Sequence, residues 1–337
     1  KIWQQFRPEL EAELKYVVGR ASLPLYNMMR YHMGWTDELG RTQRKTAGKS
    51  LPSAWAVNPN RSLGGEWRQA LPAAAAVELI HNFSLIHDDI QDSSTERRGR
   101  PTIWHIWGQP QAINVGDGMY ALAISSLLRL EETGTPHEKV VRAAHLLSKA
   151  SLRLCEGQYR DISYENRLDI GVSDYLKMIS GKTAAIFRCS LELGALMATD
   201  NASLTERLGN FGHALGITFQ MHDDVLGIWG DAKATGKPNA SDIKMRKKTL
   251  PVVYALQKTR GANRNAILKL YRKETVDPLD IEDVLRVLNK LDAQGYAQDM
   301  SKRYYHQALS ELDAQDIPQM AKAQLETIAA SLLDREY

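Results

Sequence analysis

The tripeptide His-Asp-Asp occurs twice in this chain, each time at the end of a mostly apolar, helix-like stretch. The first copy opens "HDDIQD" (residues 87–92), and the second lies in "FQMHDDVLGIWGD" (residues 219–231). Aspartate is a poor helix-interior residue, is costly to bury without a partner and is unfavourable at a helix C-terminus. Two such sites with matching flanks therefore indicate a ligand that engages both.

The spacing within the first motif favours a metal ion. Asp88 and Asp92 are four residues apart and share one helix face, with Asp89 about 100° further round. Like charges at that spacing repel each other, and a divalent cation bridging them reverses the sign. Carboxylate oxygens suit Mg²⁺, and Asp223 and Asp224 offer a second set. Solvated helix ends are the alternative for either motif by itself, but the pair favours metal binding.

Basic residues follow both aspartate motifs. After the first come Arg97, Arg98 and Arg100, and after the second come Lys237, Lys244, Arg246, Lys247 and Lys248. Lys182 and Thr183 lie in the helix-like segment "SGKTAA". Arginine and lysine bind phosphate oxygens, so the pattern predicts a site for Mg²⁺ and a phosphate-rich anion. The sequence contains neither GxxxxGK[ST] nor GxGxxG, which argues against a P-loop or a dinucleotide-binding protein.

The elements that would position these groups are almost all helical. Apolar spacing predicts helices over residues 8–33 with an interruption at Pro24, 72–92, 111–131, 137–164, 172–199, 203–229, and from about 250 to the end. Breaker-rich stretches predict loops over 37–53, 93–102 and 230–249. Alternating strand patterns, repeats and long linkers are not evident. The sequence therefore predicts one all-α domain over 1–337, a single large helical bundle.

Composition narrows the class of partner and the location. The formal net charge is +3, with 25% charged and 43% hydrophobic residues. So small a charge predicts neither nucleic-acid nor anionic-membrane binding. No apolar run approaches the roughly 20 residues needed to span a bilayer. Cys155 and Cys189 lie in apolar stretches and are predicted to be buried free thiols; with no signal peptide visible, a cytoplasmic location is expected.

Five segments together resemble the trans-isoprenyl diphosphate synthases, the polyprenyl synthetase family. They are "LIHNFSLIHDDIQD" with "RRGRPT", "GQYRDI", "YLKMISGKTAAIF", "FQMHDDVLG" and "TGKPNASDIKMRKKTL", in the family's order. The first resembles the family's DDxxD motif, and the likeness spans roughly residues 8–335. It implies an isoprenoid-synthase-type bundle around a central cavity, usually a homodimer, with three Mg²⁺ ions per active site. The implied activity joins isopentenyl diphosphate head-to-tail to an allylic diphosphate.

The resemblance also implies roles for individual residues. The metal ligands would be Asp88, Asp92 and Asp223. The allylic diphosphate would be bound by Arg97, Lys182 and Lys237, with Lys247 as a further substrate-binding cation. Isopentenyl diphosphate would be bound by Lys49, His81 and Arg98. Beside Lys182, the catalytic residues would be Thr183 and Gln220, whose polar atoms would line the site of an allylic cation.

Two positions depart from the family pattern. The fifth position of the second motif is Gly227, with Asp231 four residues further on. In "AGKSLPS", the family's GGKxxRP, Lys49 is kept but Pro52 replaces the arginine. A charge-assisted contact of that kind is worth about 1.5–3 kcal/mol.

The loss of this arginine leaves two alternatives to a condensing prenyltransferase. One is a class I terpene cyclase on the same scaffold, which needs no isopentenyl site; the other is a non-catalytic subunit of a prenyl synthase. Retention of His81 and Arg98 counts against the first, and the leading aspartates count against the second. An HD-type phosphohydrolase needs histidine ligands on several helices and leaves the basic segments unexplained.

Product length is expected to depend on the residues four and five positions before Asp88. They are Ser84 and Phe83, about one turn deeper on the same helix. In the family, bulky residues there stop elongation. An aromatic at the fifth position upstream, without an insertion in "DDIQD", resembles geranylgeranyl-type synthases. A twenty-carbon product is therefore expected; the alternative is that Phe83 only packs in the core.

Overall fold

The structure, a computed structural model, describes residues 5–19, 21–43, 51–230, 240–273 and 275–333, and the backbone alone for 51–55 and 333. Its α-helices are α1 (Arg7–Val18), α2 (Pro24–His32), α3 (Leu51–Ser62), α4 (Leu71–Gln91), α5 (Ile103–Trp107), α6 (Gln109–Leu128), α7 (His137–Glu165), α8 (Val172–Ile179), α9 (Ala185–Ala198), α10 (Ala202–Trp229), α11 (Ser241–Lys244), α12 (Leu250–Lys258), α13 (Gly261–Arg272), α14 (Pro278–Lys290), α15 (Ala293–Glu311) and α16 (Gln319–Leu333). Short 3₁₀ turns cover Trp67–Ala70 and Arg129–Thr133, and a π-helical turn covers Ser180–Ala184. The all-α prediction is confirmed.

Most predicted helices are found within a few residues of their expected ends, but four details differ. Helix α3 starts at Leu51, inside the stretch predicted as loop, because proline is tolerated in the first turn of a helix. The expected loop over 93–102 contains a hairpin of β1 (Glu96–Arg97) and β2 (Arg100–Pro101). The helix predicted over 172–199 is divided by the π-helical turn, and α11 lies in the expected loop over 230–249.

The chain forms two compact units. The first comprises Lys1–Lys149 and Cys189–Glu206, and the second comprises Ala150–Arg188 and Arg207–Tyr337. A single domain over residues 1–337 stays a prediction. None of the described helices is both long and apolar enough to cross a membrane.

In the first unit, α4 carries the first aspartate motif and is buried on almost every side. Its N-terminal half, from Pro72 to Ile80, is fully buried, and the four successive alanines 73–76 let neighbouring helices approach closely. Helix α4 packs against α1, α3 and α6. The apolar first half thus fixes the helix rigidly, and its polar last turns emerge from the core.

In the second unit, two apolar clusters hold the helices that carry the second motif. One joins the end of α10 to α12, α13 and α14 through residues such as Ile228, Val252 and Leu288. The other joins α10 to α8 and α15 through Tyr175, Met221 and Ala297. Helix α10 therefore contributes to both clusters just before and after its His-Asp-Asp sequence.

The two cysteines have different environments. Cys189 is buried as predicted, and burial raises the pKa of its thiol. Cys155 is exposed, so the prediction of burial was wrong for it. It lies on α7 close to the outward-facing Leu152 and Tyr159, where apolar side chains are left in solvent.

Candidate functional site

The last turn of α4 presents the outer carboxylates of the first motif. Asp88 is partly exposed, and Asp92 is exposed at the helix C-cap, where its backbone N–H donates to the carbonyl of Asp88 at 2.8 Å. A Schellman motif then ends the helix: Ser94 N–H donates to Asp89 O at 2.9 Å, and Ser93 has φ 52°. The chain consequently turns sharply into the hairpin.

The middle aspartate of the first motif is buried and pairs with the hairpin. Asp89 is only 3% exposed, and Arg97 Nε donates to its two oxygens at 2.9 and 3.0 Å, with Nη2 at 2.8 Å from Oδ1. Burial raises the pKa of Asp89, and the bonds from Arg97 oppose that rise. Arg97 was expected to bind diphosphate; in the structure it is held by Asp89, which fixes the direction of the hairpin.

The hairpin turn places Arg98 beside a cluster of polar groups. Arg98 and Gly99 both have positive φ, 55° and 69°, as a type I′ turn requires. Arg98 interacts electrostatically with His81 and Glu78. Burial lowers the pKa of His81, which Glu78 opposes and the two arginines reinforce. Two of the residues expected to bind isopentenyl diphosphate, His81 and Arg98, are thus close together.

His32 on α2 belongs to the same cluster but was not expected from the sequence. Burial, together with the nearby Arg97, Arg98 and His81, lowers the pKa of His32 to about 3. Its Nε2 is buried without a hydrogen-bond partner in the described structure. The imidazole is therefore neutral at pH 7. Nothing in the local sequence "MRYHMGW" distinguishes His32 from a core histidine.

The two residues expected to set product length point to different neighbours. Phe83 is 9% exposed and packs edge-to-face on His87 at 5.1 Å and on Tyr120 of α6 at 5.5 Å between ring centroids. Ser84 is partly buried, and its hydroxyl donates to His81 O at 2.8 Å. Ser84 shares the helix face of Asp88, whereas Phe83 lies about 100° away, against α6.

The second motif also pairs an outer aspartate with a buried one. Asp223 is exposed, and Asp224 is 4% exposed. Asp224 accepts from Tyr175 Oη at 2.7 Å, from Leu250 N–H at 2.8 Å and from Gln220 Nε2 at 3.0 Å. Burial raises the pKa of Asp224 to about 7, and these hydrogen bonds oppose the rise. Leu250 opens α12, so a carboxylate caps that helix N-terminus.

Gln220 links Asp224 to the π-helical turn. Thr183 Oγ1 donates to Gln220 Oε1 at 2.8 Å, and both residues are partly buried. Lys182, the preceding residue, donates from Nζ to Asp161 Oδ2 at 2.5 Å. The three residues expected to be catalytic, Lys182, Thr183 and Gln220, therefore lie in one hydrogen-bonded region of the second unit.

A close backbone contact explains how Lys182 and Asp161 meet. A Cβ on Gly157 of α7 would lie 2.0 Å from the backbone nitrogen of Lys182, and one on Gly181 would lie 2.6 Å from Arg153 O. Only glycine at both positions allows α7 and the π-helical turn to touch. Asp161, one turn after Gly157, was not assigned a role from the sequence, although the segment "GQYRDI" marked its position.

Gly227, the departure in the second motif, is explained by packing. A Cβ at residue 227 would lie 2.0 Å from Oδ2 of Asp242, a 4%-exposed residue of α11. The Asp242 carboxylate thus occupies the space that a side chain at the fifth motif position would need. Lys247 is exposed, with Nζ 3.9 Å from Asp242 Oδ1.

The buried Lys248 fixes the basic segment. Its ammonium donates to Glu165 O at 2.9 Å and lies 4.2 Å from the centre of the Tyr271 ring. Burial lowers the pKa of Lys248 to about 8. A Schellman motif with Arg246 at φ 55° ends α11, as Ser93 ends the first motif's helix. Lys49 and Lys237 lie outside the described residues, as does the side chain of Pro52.

The outer aspartates suit Mg²⁺ only in combination with a ligand. Asp88, Asp92 and Asp223 offer hard oxygen donors near the surface. Across the described part of the chain, no three histidine, cysteine or acidic side chains converge to form a complete metal site. Mg²⁺ commonly takes one or two carboxylates, with substrate phosphates and water completing its shell. The aspartates of each motif, taken separately, fit that arrangement.

Each motif pairs an outer with a buried aspartate and is followed by basic residues; the aspartates supply oxygen ligands for Mg²⁺, and the basic residues supply cations for phosphate oxygens. Residues 34–288 match the family model described as Polyprenyl synthetase. The chain therefore belongs to the polyprenyl synthetase family, whose members in general depend on Mg²⁺.

The similar proteins match between about three quarters and nearly all of the chain. It is 35% identical over 326 residues to the (2E,6E)-farnesyl diphosphate synthase of Mycobacterium bovis, covering 96% of this chain and 89% of that protein. It is 43% identical over 250 residues to the geranylgeranyl diphosphate synthase of Mycobacterium tuberculosis, covering 74% and 70%. The crystal structure of a polyprenyl synthetase from Streptomyces coelicolor has a TM-score of 0.91, 34% identity and 98% coverage of both chains.

Proposed function

We propose that this protein is a Mg²⁺-dependent short-chain trans-prenyl diphosphate synthase. It joins isopentenyl diphosphate head-to-tail to an allylic diphosphate. The observation that carries the proposal is the repeated pair of an outer aspartate and a buried, anchored one, each followed by a basic segment. The similarity to farnesyl and geranylgeranyl diphosphate synthases over most of the chain supports the same activity.

The outer aspartates and nearby cations would bind the allylic diphosphate. Asp88, Asp92 and Asp223 would hold the Mg²⁺ ions, three in the complete site, which when bound neutralise the diphosphate as a leaving group. Arg97, Lys182, Lys237 and Lys247 would bind its oxygens. For Arg97 and Lys182 this requires sharing, because Asp89 and Asp161 already bind them. These carboxylates keep both side chains oriented before substrate arrives.

The reaction itself needs little more than orientation and exclusion of water. The allylic C–O bond breaks, and its electron pair leaves with pyrophosphate. The double bond of isopentenyl diphosphate then attacks the allylic carbon, a C–C bond forms, and a proton leaves to pyrophosphate. Thr183 and Gln220 would turn oxygen atoms toward the transient cation.

The isopentenyl diphosphate site would use Arg98, His81 and Lys49. His81 has a lowered pKa and would act as a neutral hydrogen-bond donor. Pro52 removes one cation from this site. Replacing Pro52 by arginine should therefore lower the KM for isopentenyl diphosphate roughly 10-fold and leave the KM for the allylic substrate unchanged. No change in either constant would mean that another cation already fills the role.

A class I cyclase is the second candidate, favoured by Pro52 alone. The two are separated by incubating purified protein and Mg²⁺ with each allylic starter, with and without labelled isopentenyl diphosphate, followed by product chromatography. A synthase incorporates label. Pyrophosphate release without label incorporation identifies a cyclase, and no release at all identifies a non-catalytic subunit.

We propose geranylgeranyl diphosphate, with twenty carbons, as the product. Phe83 packs on Tyr120 and His87, and truncating it leaves a cavity beside the face that carries Ser84. The Phe83→Ala protein should release longer products. Leu127→Ala serves as a control, because it opens a cavity in α6 about two turns from Tyr120. An unchanged product distribution in Phe83→Ala would remove Phe83 as the chain-length limit.

The assembly we propose is a homodimer in the cytoplasm. Helix α7 leaves Val141, Leu152 and Tyr159 67%, 63% and 73% exposed, and their spacing puts them on one face. A second copy is the simplest partner for such a stripe. The free thiols Cys155 and Cys189 accord with a reducing compartment.

A further inference from the structure

We infer that Asp224 is a positioning residue that sets the direction of the hydrogen bond between Gln220 and Thr183, so that the Thr183 oxygen meets the substrate as an acceptor. The inference rests on the proposed function, in which Thr183 faces the allylic cation. Asp224 itself touches neither substrate nor metal.

The first step is the orientation of the Gln220 amide. Its two ends are the Thr183 hydroxyl at 2.8 Å and Asp224 Oδ1 at 3.0 Å. The amide nitrogen Nε2 donates to Asp224 Oδ1, so the NH₂ end faces Asp224. The carbonyl end therefore faces Thr183. A hydroxyl could pair with either end of an amide, so Thr183 does not make this choice.

The second step is the direction of the hydroxyl proton. Gln220 Oε1 only accepts, so Thr183 must donate its one proton to it. Both lone pairs of the threonine oxygen then remain for other partners. A carbocation is stabilised by lone pairs and destabilised by an O–H proton aimed at it. The buried Asp224 carboxylate, two hydrogen bonds away from Thr183, thus determines whether the threonine hydroxyl offers a lone pair or a proton to the substrate.

The third step is the rigidity of Asp224. Its other oxygen, Oδ2, accepts from Tyr175 Oη at 2.7 Å and from Leu250 N–H at 2.8 Å. The backbone N–H can only donate, so Oδ2 must accept whatever its neighbours do. Tyr175 is 1% exposed and holds the carboxylate against α8. The orientation is therefore set before any substrate binds.

Asparagine at residue 224 would reverse the donor and acceptor roles in this series of hydrogen bonds. Its oxygen must stay at the Oδ2 position, where Tyr175 and Leu250 donate, so its NH₂ faces Gln220. The Gln220 amide then turns over and donates to Thr183. The threonine proton is released from Gln220 and directed outward. Asp224→Asn changes few atoms but inverts every hydrogen bond between it and the site.

The test is a double-mutant cycle with Thr183→Val, which removes the oxygen but keeps the shape. Pyrophosphate release from Mg²⁺–farnesyl diphosphate is measured with and without isopentenyl diphosphate. In the otherwise unchanged protein, Thr183→Val should lower kcat about 10-fold with KM changed less than about threefold. In the Asp224→Asn background, Thr183→Val should leave kcat unchanged or raise it.

Tyr175→Phe is the matched control, because it removes one bond to Asp224 without altering the amide direction. Thr183→Val should keep its full effect in that background. If Asp224→Asn does not fold, Gln220→Leu replaces it: leucine accepts no hydrogen bond from Thr183, so the Thr183→Val effect should again shrink.

Equal Thr183→Val factors in all backgrounds would overturn the inference, since Asp224 would then act on stability alone. Absence of isopentenyl-dependent product from the unmodified protein would instead overturn the proposed synthase. The cycle can still be read in that case from pyrophosphate release with farnesyl diphosphate alone. An unmodified protein that releases no pyrophosphate overturns both proposals.

Discussion

The two His-Asp-Asp sequences look alike but are anchored by different chemistry. In each, the first aspartate is at least partly exposed and the second is buried, with Asp89 3% and Asp224 4% exposed. Asp89 is paired with a charged guanidinium, that of Arg97. Asp224 is bound by three neutral donors: a phenol, an amide and a backbone N–H.

The comparison indicates that the outer and inner aspartates of each motif have different roles. In the proposed function, the outer carboxylate of each copy binds the metal-bound diphosphate. The inner carboxylate organises the next element: the arginine hairpin after α4, and the start of α12 with the Thr183 region after α10. The buried carboxylate of Asp89 is compensated by one ion pair, whereas that of Asp224, without a cation, needs several hydrogen bonds.

The largest expected effect is the loss of either outer aspartate. Asp88→Ala and Asp223→Ala should each lower kcat by at least about 100-fold, because each removes a charge that acts on the leaving group. Both side chains are near the surface, so the thermal unfolding midpoint should stay unchanged. Steady-state kinetics and a melting curve measure the two quantities. Asp283→Ala, on the exposed face of α14, is the control, and near-normal turnover in either variant would contradict the metal assignment.

Replacing each of the two inner aspartates by alanine should destabilise the protein, but by different amounts. Asp224→Ala leaves the Tyr175 hydroxyl and the Leu250 N–H buried without an acceptor, at about 1–3 kcal/mol each. Asp89→Ala leaves Arg97, whose side chain is 31% exposed and can bind water instead. Unfolding in urea should therefore show the larger loss for Asp224→Ala. A larger loss for Asp89→Ala would mean that the ion pair, rather than the neutral network, is the stronger anchor.

The fifth position of the two motifs gives a smaller contrast. A Cβ at residue 227 would lie 2.0 Å from Asp242 Oδ2, so Gly227→Ala should destabilise the protein by about 1–3 kcal/mol. Asp92→Ala, at the same position of the first motif, should leave stability unchanged because Asp92 is exposed. Thermal unfolding of both variants is the measurement. Equal stability of the two proteins would show that Asp242 moves aside readily.

In the first unit, His32 should make the unfolding free energy depend on pH. The pKa of His32 is lowered to about 3 in the folded protein, against 6.5 for an unperturbed histidine. Between these values this histidine binds the proton in the unfolded chain and not in the folded protein, so its contribution to stability is lost as pH falls from 6.5 towards 3. His32→Asn should flatten that part of the profile of unfolding free energy. His137→Asn is the control, since the His137 side chain is 85% exposed, and equal slopes in all three proteins would contradict the buried neutral imidazole.

The sequence predicted the helices and the outer carboxylates because both depend on local spacing. Apolar periodicity located α4 and α10, and the i, i+4 relation put Asp88 and Asp92 on one face. The hairpin was not predicted, because it depends on positive φ at Arg98, which composition does not reveal. The ion pair that holds Asp89 is partly accessible to sequence reasoning, because Arg97 follows Asp89 by only eight residues.

The residues that bind Asp224 in the second motif could not be predicted from their spacing in the sequence. Tyr175 and Leu250 lie 49 and 26 residues from Asp224, and only the packing of α8 and α12 on α10 brings them to it. The role of Gly227 depends on the same packing, because Asp242 is remote in sequence. Sequence motifs thus point to the candidate residues, and tertiary contacts determine how each is held.

The number of bound metal ions tests most directly whether the outer aspartates bind metal and the inner aspartates do not. The protein would be titrated with Mn²⁺ in the presence of a non-reactive thiolo analogue of farnesyl diphosphate, and bound Mn²⁺ measured by electron paramagnetic resonance. Asp88→Asn and Asp223→Asn should each bind fewer ions than the unmodified protein, while Asp89→Asn and Asp224→Asn should bind the full number. Loss of metal from the inner variants, with a full count in the outer ones, would contradict the account.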